Sequence, residues 1–223
     1  MSDGFKKRIL IVDDHPIMRR GLVGTLESEP GFEVVYQLDS AEEVLHVLDK
    51  GEELDLLLVD VSLPGMNGIE LVKNVIFRKP DQKILLISRH DEFLYAERAI
   101  RAGAKGYIMK FETADEILRA VKKVLNGGIY LSSELSEKML LGMATGKKEI
   151  SESPFDVLSD RELEVFELTG KGKSTREIAE RLHLSVKTVE SYRARIKVKL
   201  NYENANELML HAVKWVDEEK EKF

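Results

Sequence analysis

From Lys7 to about Leu125, short apolar runs alternate with segments whose apolar residues recur every three or four positions. The runs lie near 8–12, 32–38, 55–59, 83–87 and 106–108 and read as strands. The periodic segments near 16–28, 41–50, 67–77, 92–101 and 114–126 read as helices with one buried face. Such alternation predicts a parallel sheet with helices on both sides. Ser40-Ala41-Glu42-Glu43 and Thr113-Ala114-Asp115-Glu116 carry the spacing of a capping box, and Asn126-Gly127-Gly128 closes the last helix.

The pattern lapses from 131 to 154, where serine, glycine and lysine accumulate; this stretch reads as a linker, with room for a short helix over Glu134–Thr145. From Leu158 onward only helical periodicity remains, near 160–169, 175–182, 186–200 and 205–217. Ser159-Asp160-Arg161-Glu162 and Ser174-Thr175-Arg176-Glu177 are two further capping boxes. The expected division is therefore 1–130, a linker at 131–154, and 155–223.

Composition narrows the chemistry. There is no cysteine, which removes disulfides and thiolate metal sites and fits a reducing compartment. The N-terminus lacks a signal-peptide pattern, no apolar stretch is long enough for a membrane span, and a cytoplasmic protein is expected. The five histidines show no metal-ligand spacing. The net charge of −6 argues against nucleic acid until its distribution is considered: residues 171–199 hold nine Lys/Arg against three Asp/Glu. A local basic face governs phosphate binding more than the total does.

The strand exits are chemically unusual. The first strand runs into Asp13-Asp14, the third into Asp60, the fourth into Ser88 and the fifth into Lys110. Open α/β sheets bind ligands at these carboxyl ends. Carboxylates gathered there can hold a divalent cation against a phosphoryl group, since magnesium prefers hard oxygen ligands. A carboxylate beside that cation is a plausible nucleophile towards phosphorus. The ammonium and the hydroxyl could then bind the transferred oxygens. Any one of these residues alone has a plainer reading: a strand-terminal aspartate forms turns, and a lone lysine is a solvated surface group. Their joint placement favours the chemistry.

Asp13-Asp14, Asp60 with Leu63-Pro64-Gly65-Met66-Asn67-Gly68, Ser88, and Ala102-Gly103-Ala104-Lys105-Gly106-Tyr107 running to Lys110 resemble the receiver domain of bacterial two-component response regulators. The resemblance spans roughly residues 7–127. It implies a flavodoxin-like, doubly wound five-stranded parallel sheet and phosphorylation of Asp60 by a sensor histidine kinase. It implies Mg²⁺ (or Mn²⁺) held by Asp13, Asp14, Asp60 and the Ser62 backbone carbonyl, and Lys110 on the phosphoryl group. Ser88 would be the switch hydroxyl, and Tyr107 either the switch aromatic or an ordinary core ring. The chain departs from the pattern in having Ser88 where threonine is common and Phe111 where a small residue or proline is common.

In the second half, a helix over 186–200 places Val189, Tyr192, Ile196 and Leu200 on one side. Lys187, Glu190, Ser191, Ala194 and Lys197 fall on another, flanked by Arg193, Arg195 and Lys199. With a short helix before it and a tight connection at Leu184-Ser185, this is helix–turn–helix spacing. A solvated amphipathic helix remains the alternative on charge alone. Leu158-Ser159-Asp160-Arg161-Glu162-Leu163, Ser174-Thr175-Arg176-Glu177-Ile178-Ala179 and Leu184-Ser185-Val186-Lys187-Thr188-Val189-Glu190 resemble the LuxR-type DNA-binding domain, and the whole chain resembles the NarL/FixJ response regulators. That resemblance puts Glu190, Ser191 and Ala194 at base edges. It puts Lys187, Thr188, Tyr192, Arg193 and Arg195 near phosphates. Glu190 either accepts from a cytosine amino group or is a plain surface acid. The last helix is apolar over a wide arc; it either pairs with a second subunit through Leu208, Ala212 and Trp215 or is buried entirely in its own domain.

The reading that follows is a phosphorylation-dependent transcriptional regulator, dimeric on a duplex operator, with RNA polymerase as a further partner and no membrane role. It is not an enzyme beyond its own chemistry at Asp60. An aspartate-nucleophile phosphatase is disfavoured because Ser62 stands where the second, acidic aspartate would be. A phosphorylation-independent receiver-type regulator or a protein-binding module is the alternative.

Overall fold

The computed structural model describes residues 6–90, 92–145 and 154–220. They divide into two compact units, Met1–Ile150 and Ser151–Phe223. The linker positions 146–153 lie outside the described residues.

The first unit contains strands β1 (Lys7–Val12), β2 (Phe32–Leu38), β3 (Leu56–Asp60), β4 (Ile84–Ser88) and β5 (Gly106–Met109). Between and after them run helices α1 (Pro16–Glu27), α2 (Ala41–Asp49), α3 (Gly68–Arg78), α4 (Glu92–Ala102) and α5 (Ala114–Leu125). All strands are parallel, in the order β2-β1-β3-β4-β5. β3 and β4 are buried at every position, which is why they read as unbroken apolar runs instead of alternating ones. On one face, Ile9, Ile11, Leu58, Leu85 and Ile87 form a core with Leu22 and Leu26 of α1 and with Ile117, Val121 and Val124 of α5. The strand order reverses beside β1, which opens a crevice between the ends of β1 and β3.

Local details refine the expected elements. Thr113 accepts from the Glu116 backbone N–H and starts α5, while Lys83 Nζ donates to the Leu125 carbonyl (2.6 Å) at its far end, where a cation is favoured by the helix dipole. Ser40 precedes α2 without capping it: Glu43 accepts from the Asp39 backbone N–H instead, so the box expected there does not form. The chain after α5 is not free linker. Tyr130 makes a parallel bridge to Gly106, with Tyr107 N–H donating to the Tyr130 carbonyl (3.0 Å) and Tyr130 N–H to that of Lys105 (2.9 Å). A Cβ at Gly106 would stand 2.8 Å from the Tyr130 oxygen, so this approach requires glycine. Helix α6 (Ser133–Thr145) follows as part of the first unit, with Leu135 buried, Lys138 over the Phe93 ring and Ser132 Oγ bonded to Glu92.

The second unit opens with a 3-10 turn (Pro154–Val157) and continues with α7 (Asp160–Gly170), α8 (Thr175–Arg181), α9 (Val186–Leu200) and α10 (Ala205–Lys220). Both expected capping boxes form, at Ser159/Glu162 and Ser174/Glu177. Phe155, Phe166 and Trp215 make an aromatic cluster with ring centroids 4.9–5.4 Å apart. Trp215 is thus an inward anchor, and Leu208 and Ala212 on the same side of α10 are buried as well. The pairing face expected at Leu208, Ala212 and Trp215 is therefore corrected: these three hold α10 to its own domain, and the apolar residues left exposed are Met209, Leu210 and Val213.

Glu162 also joins α7 to α9. Burial would raise its carboxyl pKa, but hydrogen bonds from Lys199 Nζ (2.6 Å) and the Ser159 backbone (2.8 Å) outweigh that and hold it below its ordinary value. A depressed folded-state pKa gives stability that is present above the unfolded value, about 4.3 for Glu, and lost as pH falls through the folded one. Glu162→Gln should therefore lower the melting temperature of this unit near neutrality, with the gap to wild type closing below about pH 4. Fluorescence of Trp215, the single tryptophan, reports the transition; a gap that stays constant with pH would contradict the assignment.

Candidate functional site

Each chemically active residue of the first unit sits where a buried strand stops. Main-chain pairing aligns these ends: Val12 lies beside Val59, Asp60 beside Ile87, and Ser88 beside Met109. Asp13 and Asp60 are almost fully buried, and Lys110 nearly so. Lys110 Nζ is 2.6 Å from Asp60 Oδ2 and 2.7 Å from Asp13 Oδ2, so one ammonium bridges two carboxylates. The backbone N–H of Lys110 donates to the Ser88 carbonyl (2.7 Å), which fixes the base of its side chain. The other Asp60 oxygen accepts from the Ser62 N–H at 3.2 Å. Burial, and then the like charge of Asp13, raise the Asp60 pKa against the opposing pull of Lys110; burial is the largest influence and the net direction is upward.

The loop after β3 depends on two glycines. Gly65 has φ +67°, in the left-handed region. Gly68 begins α3 against the strand end: a Cβ there would stand 2.1 Å from the Asp60 carbonyl oxygen. Its N–H bonds to the Val61 carbonyl (2.8 Å), and the Asn67 side chain caps α3 by accepting from Glu70 N–H (2.8 Å). The helix is thereby seated on the backbone that presents Asp60.

Asp13, Asp14, His15 and Asp60 each offer a ligand atom within 4.8 Å of the others. Three of the four are carboxylates, a donor set that suits a hard divalent cation. His15 was not marked by any spacing rule; it enters because its Nδ1 contacts Asp14 and its backbone N–H donates to Asp13 Oδ1 (2.8 Å). Arg19, one turn into α1, donates to the Asp13 carbonyl and was likewise unmarked.

On the other side of Asp60, Ser62 Oγ and His90 Nε2 are 2.7 Å apart. The His90 N–H donates to Ser88 Oγ (2.9 Å), and the buried Tyr107 donates its hydroxyl to the His90 carbonyl (2.9 Å). Ser62, Ser88, His90 and Tyr107 thus form one chain of contacts around the loop after β4. His90 had no signal in the sequence beyond its place two residues past a strand exit.

In the second unit, Ile178, Ala179 and Leu182 of α8 and its exit, with Val189 and Ile196 of α9, are buried. The turn between the helices passes through His183 at φ +53°, and Ser185 caps α9 by accepting from Thr188 N–H (3.0 Å). Lys187, Glu190, Ser191, Ala194 and Arg195 are exposed, whereas Thr188, Tyr192 and Arg193 are half-buried. Arg193 donates to Thr175 Oγ1 (2.8 Å) and ties the start of α8 to the middle of α9. Arg195 lies over the Tyr192 ring, 4.7 Å from its centroid.

A doubly wound sheet with an acidic crevice, followed by a helix–turn–helix unit with a basic outer face, defines a two-part regulator. Residues 9–122 match the response regulator receiver domain and residues 156–212 match the bacterial regulatory proteins of the luxR family. The chain is 33% identical over 226 residues to the transcriptional regulatory protein DegU of Brevibacillus brevis, covering 95% of each. The receiver domain of the response regulator NarL from Mycobacterium tuberculosis is similar in structure (TM-score 0.52, 34% identity, 55% of this chain and 98% of that one). RcsB of Salmonella enterica serovar Typhimurium, solved bound to the promoter rprA with the phosphomimetic BeF3⁻, shares the fold over 93% of this chain and 98% of its own (TM-score 0.61, 24% identity). The chain belongs to the NarL/FixJ family of two-component response regulators, and it is a phosphorylation-dependent transcriptional regulator.

Proposed function

We propose that Asp60 takes a phosphoryl group from a sensor histidine kinase and that its occupancy controls pairing and operator binding by the second unit. The observation that carries this is the buried ammonium of Lys110 between Asp60 and Asp13, which stands within reach of an oxygen added to Asp60 while the surplus of carboxylates suits a divalent cation. An Asp60 carboxylate oxygen forms a bond to phosphorus as the kinase's phosphohistidine P–N bond breaks, and the departing imidazole keeps the electron pair. Asp13, Asp14, Asp60 and the Ser62 backbone carbonyl would hold Mg²⁺ (or Mn²⁺), which would supply charge neutralisation for the phosphoryl oxygens. Lys110 pairs with one of those oxygens. Ser88 gives up its contact with the His90 N–H and turns its hydroxyl to another, and the Tyr107 contact with the His90 carbonyl transmits the change along the loop after β4.

In the second unit, α9 enters the major groove. Glu190, Ser191 and Ala194 face base edges, while Lys187, Thr188, Tyr192, Arg193 and Arg195 serve the backbone phosphates. Two subunits pair through the exposed side of α10, at Met209, Leu210 and Val213, and so address two half-sites. The chain works in the cytoplasm, where kinase, operator and RNA polymerase meet. No helix among the described residues is long and apolar enough to cross a membrane. Its only reaction is the loading and unloading of its own carboxylate. Duplex binding measured with and without a small phosphodonor and Mg²⁺ tests the reading. Affinity should rise on loading and fall steeply with salt; affinity indifferent to both would refute it.

A further inference from the structure

Resting on the reading of α9 as the helix that enters the major groove, a further step concerns which base it selects. Residues 171–199 carry nine basic residues against three acidic ones, and Glu190 is the one acid on α9. Its carboxylate is exposed near the helix start, where recognition helices meet base edges. Carboxylates on the neighbouring helices are engaged: Glu162 with Lys199, Glu167 with Lys171, Glu177 with Ser174 and Lys173, and Glu180 with Arg176. The Glu190 carboxylate has no hydrogen bond or ion pair among the described residues. The arginine one turn on, Arg193, is committed to Thr175 (2.8 Å), and Arg195 lies over the Tyr192 ring.

An unpaired acid at this place is costly in a DNA complex, because phosphates surround the groove and the carboxylate must shed water to enter it. A hydrogen-bond donor on a base offsets that cost directly, inside the groove. Guanine presents two acceptors in the major groove and thymine one, and both repel a carboxylate. Adenine has an amino donor, but its N7 acceptor lies beside it. Cytosine presents its N4 amino group and no acceptor of its own. We propose that Glu190 selects cytosine at one position of each half-site by accepting from N4–H, and that it rejects guanine and thymine there.

The test is selection of bound duplexes from a random pool by the full-length chain loaded with a small phosphodonor, using wild type, Glu190→Gln and Glu190→Ala. Both substitutions are at an exposed position and leave the domain core intact. Wild type should favour cytosine at one half-site position by about tenfold over other bases. Glu190→Ala should lose that preference alone. Glu190→Gln should move it towards adenine, whose N6 and N7 a glutamine amide can bind together. If both variants select the wild-type sequence and merely bind all duplexes more tightly, Glu190 is a surface acid and the proposal fails. If wild type binds no duplex in a salt-dependent way, the assignment of α9 to DNA fails instead.

Discussion

Replacing Asp60 with asparagine should abolish labelling by a small phosphodonor in the presence of Mg²⁺, and with it any gain in duplex affinity. The substitution removes the nucleophilic oxygen and the charge at once. One Asp60 oxygen faces Lys110 Nζ at 2.6 Å and the other faces the Ser62 N–H at 3.2 Å. Both partners are donors. An asparagine amide can satisfy only one of them, because its nitrogen must face the other donor. The unit should still fold, since burial and the nearby Asp13 already disfavour the Asp60 charge and Lys110 keeps its 2.7 Å contact with Asp13. Intact-mass measurement separates the cases: a phosphoryl adduct surviving in a folded Asp60→Asn protein would place the acceptor elsewhere.

The crevice was legible because two kinds of information coincide in the sequence. Apolar runs such as Leu56–Val59 mark strands buried on both sides, and the first polar residue after each run must lie at the sheet's edge. That places Asp13, Asp60, Ser88 and Lys110 together without knowledge of any long-range contact. What pairs across the crevice was not legible. Ser62 and His90 are 28 residues apart, and no periodicity links them. Ser40 shows the limit of local motifs: its spacing to Glu43 suits a box, yet Glu43 satisfies Asp39 N–H instead.

The last helix illustrates a different limit. A wide apolar arc on α10 shows that two sides are available but not which one faces inward. Leu208, Ala212 and Trp215 recur at helical spacing, and that stripe is the buried one, with Trp215 packed on Phe155 and Phe166. Tyr130 is similar. It lies in a stretch without periodicity, and only the bare backbone of Gly106 shows that the sheet edge can accept it.

The largest stability effect is expected at Gly170, the last residue of α7. A Cβ there would lie 2.2 Å from the Ala212 carbonyl oxygen and 2.6 Å from Val216 Cγ2. The first obstacle is backbone within α10, so it cannot swing aside as a side-chain end would. Two effects compete in Gly170→Ala. Alanine is a better helix former by about 1 kcal/mol. Overpacking a filled core costs about 1–3 kcal/mol and more when backbone must shift. The second should win, because α10 has to move away from α7 and would loosen Trp215 from Phe155 and Phe166. We expect a net loss of about 2 kcal/mol, or roughly 10 °C in the melting temperature of a unit of this size. Gly24→Ala is the matched control: it lies on the exposed side of α1 with nothing within 4 Å of the added carbon. There the propensity gain stands alone, and the first unit should become slightly more stable. Opposite signs for the two substitutions, read by Trp215 fluorescence for one unit and by circular dichroism for the other, would establish close approach of α7 and α10. A neutral or stabilising Gly170→Ala would contradict it.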